Sequence, residues 1–451
     1  MTVGKTITSA KRILRKYTIC DWCLGRQFAM QGYGLTNKDR GLALKTLLLM
    51  TGTETYHNNP KQGITLIRHL AEHGQYKPAR EFLFKEGITD IKPSQVCDIC
   101  EGVMDRLTEA AQAAIQSLQD LEISSLLIGT RIDPTIIENE EQLRSELQID
   151  SGEPIKAELN REIGKLVTEE KGIEVDFESP DVVALIQIPE FSVELEVHSL
   201  FIYGRYQKLK RGIPQTHWPC RECGGKGCQR CKNTGKMYAE SVEELISPVL
   251  LELTQGKDVK FHGAGREDID ALMLGSGRPF VIEILNPHTR TIDLEKATKQ
   301  INKSAKGKVK VSNLCFANKD VVKHVKGSAT TSKKVYKALV HLESPIRQDT
   351  LQTLQRVSLP LEVNQRTPHR VLHRRADRTR KKRIHTLEIV PVSSKSFELT
   401  ISCQGGLYVK EFISGDEGRT VPSIAELLET PAVCKQLDVI TVEIEEDQLP
   451  W

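Results

Sequence analysis

The chain has 451 residues, of which 39% are hydrophobic, 27% charged and 5% aromatic, a balance that fits a soluble globular protein of roughly two to four domains. Its formal charge of +3 conceals an uneven distribution, with acids gathered in 138–179 and bases in 366–383. The longest apolar runs, such as ALKTLLLM and PVLLEL, fall well short of the ~20 residues that span a bilayer, and the opening MTVGKTITSAKRILRKYTIC lacks the apolar stretch of a secretory signal. A cytoplasmic protein with no membrane partner is therefore expected, its 11 cysteines serving metal ions rather than disulfides.

In chain order, residues 1–110 read as mainly helical, with KRILRKY and RGLALKTLLLM supplying the apolar spacing. Residues 111–212 are mixed: EAAQAAIQSLQDL has helical character, while VVALIQI and SVELEVHSLFIYGRY read as strands. Residues 213–236 form a compact Cys/Gly insert, and residues 237–451 an α/β unit. That unit has a helix at SVEELISPVLLELT, strands at KDVKFHGAG, RPFVIEIL, KVYKALVHLE, HTLEIVPV and SFELTISCQG, and a last helix around SIAELLE.

The cysteines carry the clearest spacing. Cys20 and Cys23 lie in CDWC, and Cys97 and Cys100 in CDIC; together they offer four thiolates to one tetrahedral ion, which would staple the start of the first domain to its end. Cys220, Cys223, Cys228 and Cys231 follow C-x2-C-x4-C-x2-C, with glycines permitting the reversal between the pairs. Two structural zinc ions are expected, with no open position for a catalytic water. Cys315, Cys403 and Cys434 read as small buried hydrophobes. Pro219-Cys220-Arg221-Glu222-Cys223 also fits half of a zinc-deaminase signature, but its HxE partner should come earlier, and His341-Leu342-Glu343 comes later.

Residues 263–280, GAGREDIDALMLGSGRPF, place an Arg-Glu-Asp triplet between glycine turns. Glycine there lets a large ligand approach the backbone; a solvated turn is the plain alternative. Asp268, Glu267 and Asp270 are all possible functional acids, with Asp270 the one placed to cap or solvate the following ALML. Between Arg366 and Arg383 nine residues are Lys or Arg and only Asp377 is acidic. Strand-like flanks suggest an ordered loop with a phosphate-binding surface rather than a free tail. Tyr203, Arg205, Tyr206, Lys208, Lys210 and Arg211 form a second basic-aromatic stretch, compatible with RNA stacking or with ordinary strand packing.

Four segments, GREDIDALMLGSGRPFVIEI, KKVYKALV, QRTPHRVLHRRA and GGLYVKEFISGDEGRTVPS, together resemble the archaeal-type tRNA pseudouridine synthases of the "Pus ten" family. The paired CxxC motifs and the mixed region after them are similar in plan to that family's N-terminal half. The resemblance implies an α/β (α+β) fold: a pseudouridine synthase catalytic domain with a mixed sheet at 237–451, preceded by a zinc-stapled, THUMP-like RNA-binding region at 111–212. It implies a tRNA substrate modified at uridine 54 and/or 55 of the TΨC arm, and no cofactor for catalysis; no guide RNA or protein partner is inferred. By motif register it selects Asp268 as the nucleophile, Tyr336 against the target base and Lys410 as the basic partner. A more distant likeness to the TruB class puts arginine where this chain has Lys410, which keeps the charge but loses the fork.

Pseudouridylation breaks the N1–C1′ bond, turns the uracil and rejoins it through C5. The base must first leave the stack. A carboxylate then attacks C6 or C1′, or promotes glycal formation, and a neighbouring cation favours its anionic form. Tyr336 offers a ring for the uracil and a hydroxyl near C5. Arg266 and Tyr408, with Arg366, Arg370, Arg374 and Arg375, are the candidate RNA contacts. The alternative of another class is a non-catalytic, zinc-containing tRNA-binding protein or RNA chaperone, for which the Asp268, Tyr336 and Lys410 trio would have no use.

Overall fold

The computed structural model describes residues 3–92, 95–329, 332–345, 354, 356–444 and 446–450. The chain divides into two compact units, Met1–His198 and Ser199–Trp451.

The first unit begins with helices Val3–Lys16, Asp21–Arg26, Asn37–Asn58, Pro60–Glu72, Lys77–Lys85 and Leu107–Ser117. Strand β1 (Ser125–Ile132) is followed by helices Pro134–Leu147 and Ile155–Lys171, then β2 (Glu174–Val175), β3 (Val182–Ile188) and β4 (Val193–Val197). The sheet runs β2-β1-β3-β4. Strand β1 is parallel to both neighbours, and β3–β4 is antiparallel. Val182, Ala184, Ile186 and Ile188 alternate inward along β3, the period-2 burial that fixes which face meets the helices. Asp133 accepts from the Thr135 amide, with Pro134 at the first helical position, a start signal written in the sequence.

Arg26 is fully buried and ties this unit together. Its Nε donates to Glu140 and its Nη1 to Glu158, both at 2.7 Å, and its Nη2 reaches the Cys23 sulfur at 3.2 Å. One guanidinium thus links the first CxxC pair to the two helices flanking β1.

The second unit is built on one mixed sheet of ten strands. In chain order these are β5 (Leu200–Lys208), β6 (Asp258–Gly263), β7 (Leu272–Leu285), β8 (Val309–Ala317), β9 (Lys333–Leu342), β10 (Leu361–Arg366), β11 (Thr379–Ser393), β12 (Ser396–Gln404), β13 (Thr420–Val421) and β14 (Ala432–Val442). In space the order is β13-β10-β11-β12-β9-β14-β7-β5-β8, with β6 also on β7.

Three expectations change. The sequence groups 199–212 with the region before it, but β5 pairs with β7 and β8 inside the second unit. The alternation of β5 fits either sheet, and only the pairing decides. The basic segment is not one loop: a 3-10 turn at His369–Arg374 gives way to β11, which carries its last five residues. The stretch around Tyr203 is a packed strand, since Tyr203, Tyr206 and Lys208 are all buried.

Strand β7 changes neighbours along its length. Leu272 and Met273 run parallel to β14, whereas 278–285 lies between β5 and β6. Gly275 makes the bend: its φ is +54°, and a Cβ there would sit 2.2 Å from the Ile440 carbonyl oxygen, which no side chain tolerates. Two hydrophobic clusters form on the sheet, one around Phe280 and Ile282, the other around Leu399 and Ile401. Tyr336 packs against both, so a pocket at this seam has rigid walls.

Candidate active site

Asp268 stands on the loop between β6 and β7, and the fixation of that loop is the main feature of the site. Arg278 Nη1 donates to the Ala264 carbonyl at 2.8 Å and Gln215 to the Gly265 carbonyl at 2.9 Å. Lys208 Nζ donates to the Asp268 carbonyl at 3.1 Å and the Ile269 carbonyl at 3.3 Å, and Arg211 to that of Asp270 at 2.8 Å. Satisfied carbonyls leave the loop little reason to move.

Glu267, the neighbour of Asp268, faces inward. Its carboxylate is 2.9 Å from Arg278 Nε, 2.9 Å from the Tyr206 hydroxyl and 3.5 Å from Lys208 Nζ. Burial would raise its pKa, but the two cations and the tyrosine outweigh this and hold it below the ordinary glutamate value. Glu267 is therefore a buried anchor of the loop.

Asp268 turns the other way, into a cavity of about 290 Å³ lined also by Tyr336, Lys334, Arg370, Tyr408 and Lys410. Lys410 Nζ lies 3.2 Å from its Oδ2, and Arg370 Nη1 lies 3.4 Å from its Oδ1. Lys410 is the second residue of the short helix Val409–Ser414, not the end of a strand. It also contacts Asp270, at 2.8 Å and 3.0 Å, so Asp270 is an ion-pair partner rather than a cap. Burial alone would depress Lys410, but Asp270 and Asp268 together hold its ammonium above the usual lysine value. Tyr336 lines the cavity from β9; burial, reinforced by the Cys403 thiol, pushes its hydroxyl well above the usual tyrosine value, so it stays protonated as a potential donor.

The expected RNA contacts sort unevenly. Arg266 is exposed beside the cavity, its guanidinium 5.3 Å from the centre of the Trp218 ring. Arg370 is committed to carboxylates: besides Asp268 it binds Glu411, with Nε at 2.5 Å. Arg375 donates to the Tyr408 hydroxyl at 2.9 Å, and the Tyr408 ring lies 5.8 Å from the Arg370 guanidinium. Arg366 is paired with Asp377 at 2.7 Å, which offsets its charge toward a phosphate. Arg374 ends the 3-10 turn, and its side chain lies outside the described residues. Sequence reading missed Lys208, Arg211, Gln215 and Arg278 as supports; their signal was only that charged residues stood in apolar strands.

Both cysteine sets converge. Within each, all four sulfurs lie within 4.8 Å of one another, with Cys20–Cys100 at 3.8 Å and Cys220–Cys228 at 3.9 Å. Metal–sulfur bonds of about 2.3 Å around a tetrahedral ion require edges of about 3.8 Å, so the donor sets fit such an ion. Amides of Gly227 and Gly235, each at 3.2 Å, donate to Cys223 and Cys231, as thiolate ligands require. Trp218 and Tyr238 meet edge to face at 5.8 Å across the base of the second set, next to Arg266.

A larger cavity of about 820 Å³ in the second unit is lined by Arg205, Ser276 and Glu446; it lies away from Asp268 and has no comparable cation-carboxylate cluster. Among the described residues no helix is long and apolar enough to cross a membrane.

A family model described as "Pus10, C-terminal" matches residues 201–443, and one described as "Pus10 THUMP domain, archaeal" matches 110–187. A protein from Methanothrix thermoacetophila named tRNA pseudouridine synthase Pus10 is 45% identical over 438 residues, covering 97% of this chain and 94% of its own. One of the same name from Thermofilum pendens is 40% identical over 432 residues, covering 96% and 94%. A solved Cbf5-Nop10-Gar1 complex superposes on 53% of this chain and 48% of its own, with 15% identity and a TM-score of 0.29. With the family matches, the mixed sheet, the THUMP domain and the enclosed Asp268 site define a tRNA pseudouridine synthase, an isomerase. The chain belongs to the Pus10 family.

Proposed function

We propose that this enzyme isomerises uridine 54 and/or 55 in the TΨC arm of tRNA, with Asp268 as the nucleophile. The observation that supports this most is the inward-facing Asp268 carboxylate, contacted by Lys410 at 3.2 Å and Arg370 at 3.4 Å, in a cavity shared with Tyr336. At about 290 Å³ that cavity is at the lower end of small-ligand sites, about 300 Å³, a scale suited to one flipped nucleoside.

The roles divide by position. The loop fixed by Glu267, Lys208 and Arg278 holds Asp268 in place, so little reorganisation accompanies attack. Lys410 and Arg370 favour the carboxylate anion. Tyr336 supports the uracil ring and presents a hydroxyl for proton transfer near C5. Arg266, Arg375 and Tyr408 lie where the rest of the nucleotide or a displaced neighbour would pass, and the remaining arginines of the basic segment would meet the backbone without reading sequence.

The test uses an unmodified tRNA transcript and two forms in which uridine 54 or uridine 55 is replaced by cytidine, with pseudouridine mapped by position. Product at 54 or 55 is expected; a transcript with no pseudouridine there contradicts the proposal.

Both four-cysteine sets would hold structural zinc, since four thiolates fill a tetrahedral ion and leave no open position. Two zinc ions per chain are expected by elemental analysis of folded, reduced protein. A value near zero contradicts both sites.

A further inference from the structure

We propose that Lys334 is a further catalytic residue, whose ammonium binds a carbonyl oxygen of the flipped uracil and stabilises the negative charge that builds on the base. The proposal rests on the reading of the Asp268 cavity as the uridine site.

Three lysines are buried among the described residues: Lys45, Lys208 and Lys334. The first two hold carboxylates, Lys45 on Asp21 at 2.6 Å and Lys208 on Glu267 at 3.5 Å. Lys334, 5% exposed, has no ion-pair partner among the described residues. Its one hydrogen bond to them goes to the Ala329 carbonyl at 3.0 Å, leaving two of three N–H donors uncommitted. An unpaired buried ammonium is costly, so a cation retained in such a place calls for an anionic or strongly accepting ligand.

The position says which ligand. Lys334 precedes Tyr336 by two residues on β9, so both project from the same face, and both line the Asp268 cavity. A Cβ on Gly265 would lie 3.4 Å from Lys334 Nζ and equally from Arg278 Nη1. The ammonium therefore sits against the start of the catalytic loop, where that loop carries no side chain. The groups facing it are Arg278 from β7, Lys382 from β11 and the Cys403 thiol from β12. Burial, with Arg278 and Lys382 adding to it and Cys403 opposing, brings the Lys334 pKa down to about 8.

The chemistry needs a cation at this wall. When N1–C1′ breaks, its electron pair stays on N1 and spreads to the carbonyl oxygens, while C1′ bonds an Asp268 oxygen or its 2′ proton passes to Asp268. After the uracil turns, C5 bonds to C1′, Asp268 is released or returns the proton, and the C5 proton ends on N1. Attack at C6 instead drives charge onto the ring through C5 to a carbonyl oxygen. In each route the base carries the negative charge, and a fixed N–H donor at its oxygen lowers the barrier.

The test compares Lys334→Met and Lys334→Arg with wild type in single-turnover pseudouridine formation, alongside tRNA affinity and a pH profile. Lys334→Met should lose at least about 100-fold in rate, the scale of one removed oxyanion donor, with tRNA affinity within about threefold. Lys334→Arg should recover at least about tenfold of that loss. Because the charged form is the active one, the wild-type rate should fall as pH rises through about 8, and the arginine variant should move that limb upward by a unit or more. A methionine variant within about threefold of wild type overturns the proposal, as do equal rates for arginine and methionine. Should the methionine variant fail to fold, an unmoved limb in the arginine variant overturns it. Wild type forming no pseudouridine would instead overturn the reading of the site itself.

Discussion

Asp268→Asn is expected to lower pseudouridine formation by at least about 10³-fold, or about 4 kcal/mol in the barrier, with tRNA affinity unchanged within about threefold. The substitution is nearly isosteric and the backbone around it is fixed independently, by Arg278, Gln215, Lys208 and Arg211 on neighbouring carbonyls. Only the anion is lost. An amide can neither attack carbon nor take a proton, whereas the arginines that contact RNA are unaltered. A single-turnover assay with a parallel binding titration separates the two effects; loss of affinity with an unchanged rate at saturation would point to a binding role for this carboxylate.

Arg26→Met is expected to destabilise the Met1–His198 unit by about 3–5 kcal/mol, the cost of breaking a buried ion pair from one side, against a typical total of about 5–15. The side chains of Arg26, Glu140 and Glu158 are 0%, 5% and 0% exposed. Removing the guanidinium leaves two buried carboxylates that must be desolvated or protonated. Burial already raises Glu158 above its ordinary value while Arg26 opposes; without Arg26 its folded pKa rises further. A carboxyl raised in the folded state favours folding below its unfolded pKa and loses that contribution as pH rises through the folded value. The variant's deficit should therefore shrink as pH falls toward about 4. Hydrogen exchange of the amides in 3–198 reads both effects. A change below about 1 kcal/mol at neutral pH would show that other bonds hold these helices.

The sequence was most informative where chemistry imposes spacing. Each C-x2-C pair specifies its own tight turn, and both sets converge as expected. The glycine-flanked GRED segment marked the loop, and the register placed Asp268 rather than Glu267 or Asp270 toward the cavity. The supports were less legible because they meet only through strand pairing. Arg278 and Tyr206 are opposite each other across β5 and β7, yet lie far apart in the chain, and a charged residue inside an apolar strand does not name its partner. Arg370 read as part of a basic run, but its fork is taken by Glu411 and Asp268. Strand β14, which flanks Tyr336 through Val439, went unread although AVCKQLDVITV has the β-branched content of a strand; two register shifts interrupt its pairing and blur the alternation.

Asp268 and Asp270 compete for the same lysine, Lys410 lying 3.2 Å from one and 2.8 Å from the other. The most direct measurement is single-turnover pseudouridine formation by wild type, Asp268→Asn and Asp270→Asn on one tRNA transcript at saturating enzyme. The expected result is loss in Asp268→Asn and retention of activity within about tenfold in Asp270→Asn. An active Asp268→Asn enzyme beside an inactive Asp270→Asn one would contradict the assignment of the nucleophile.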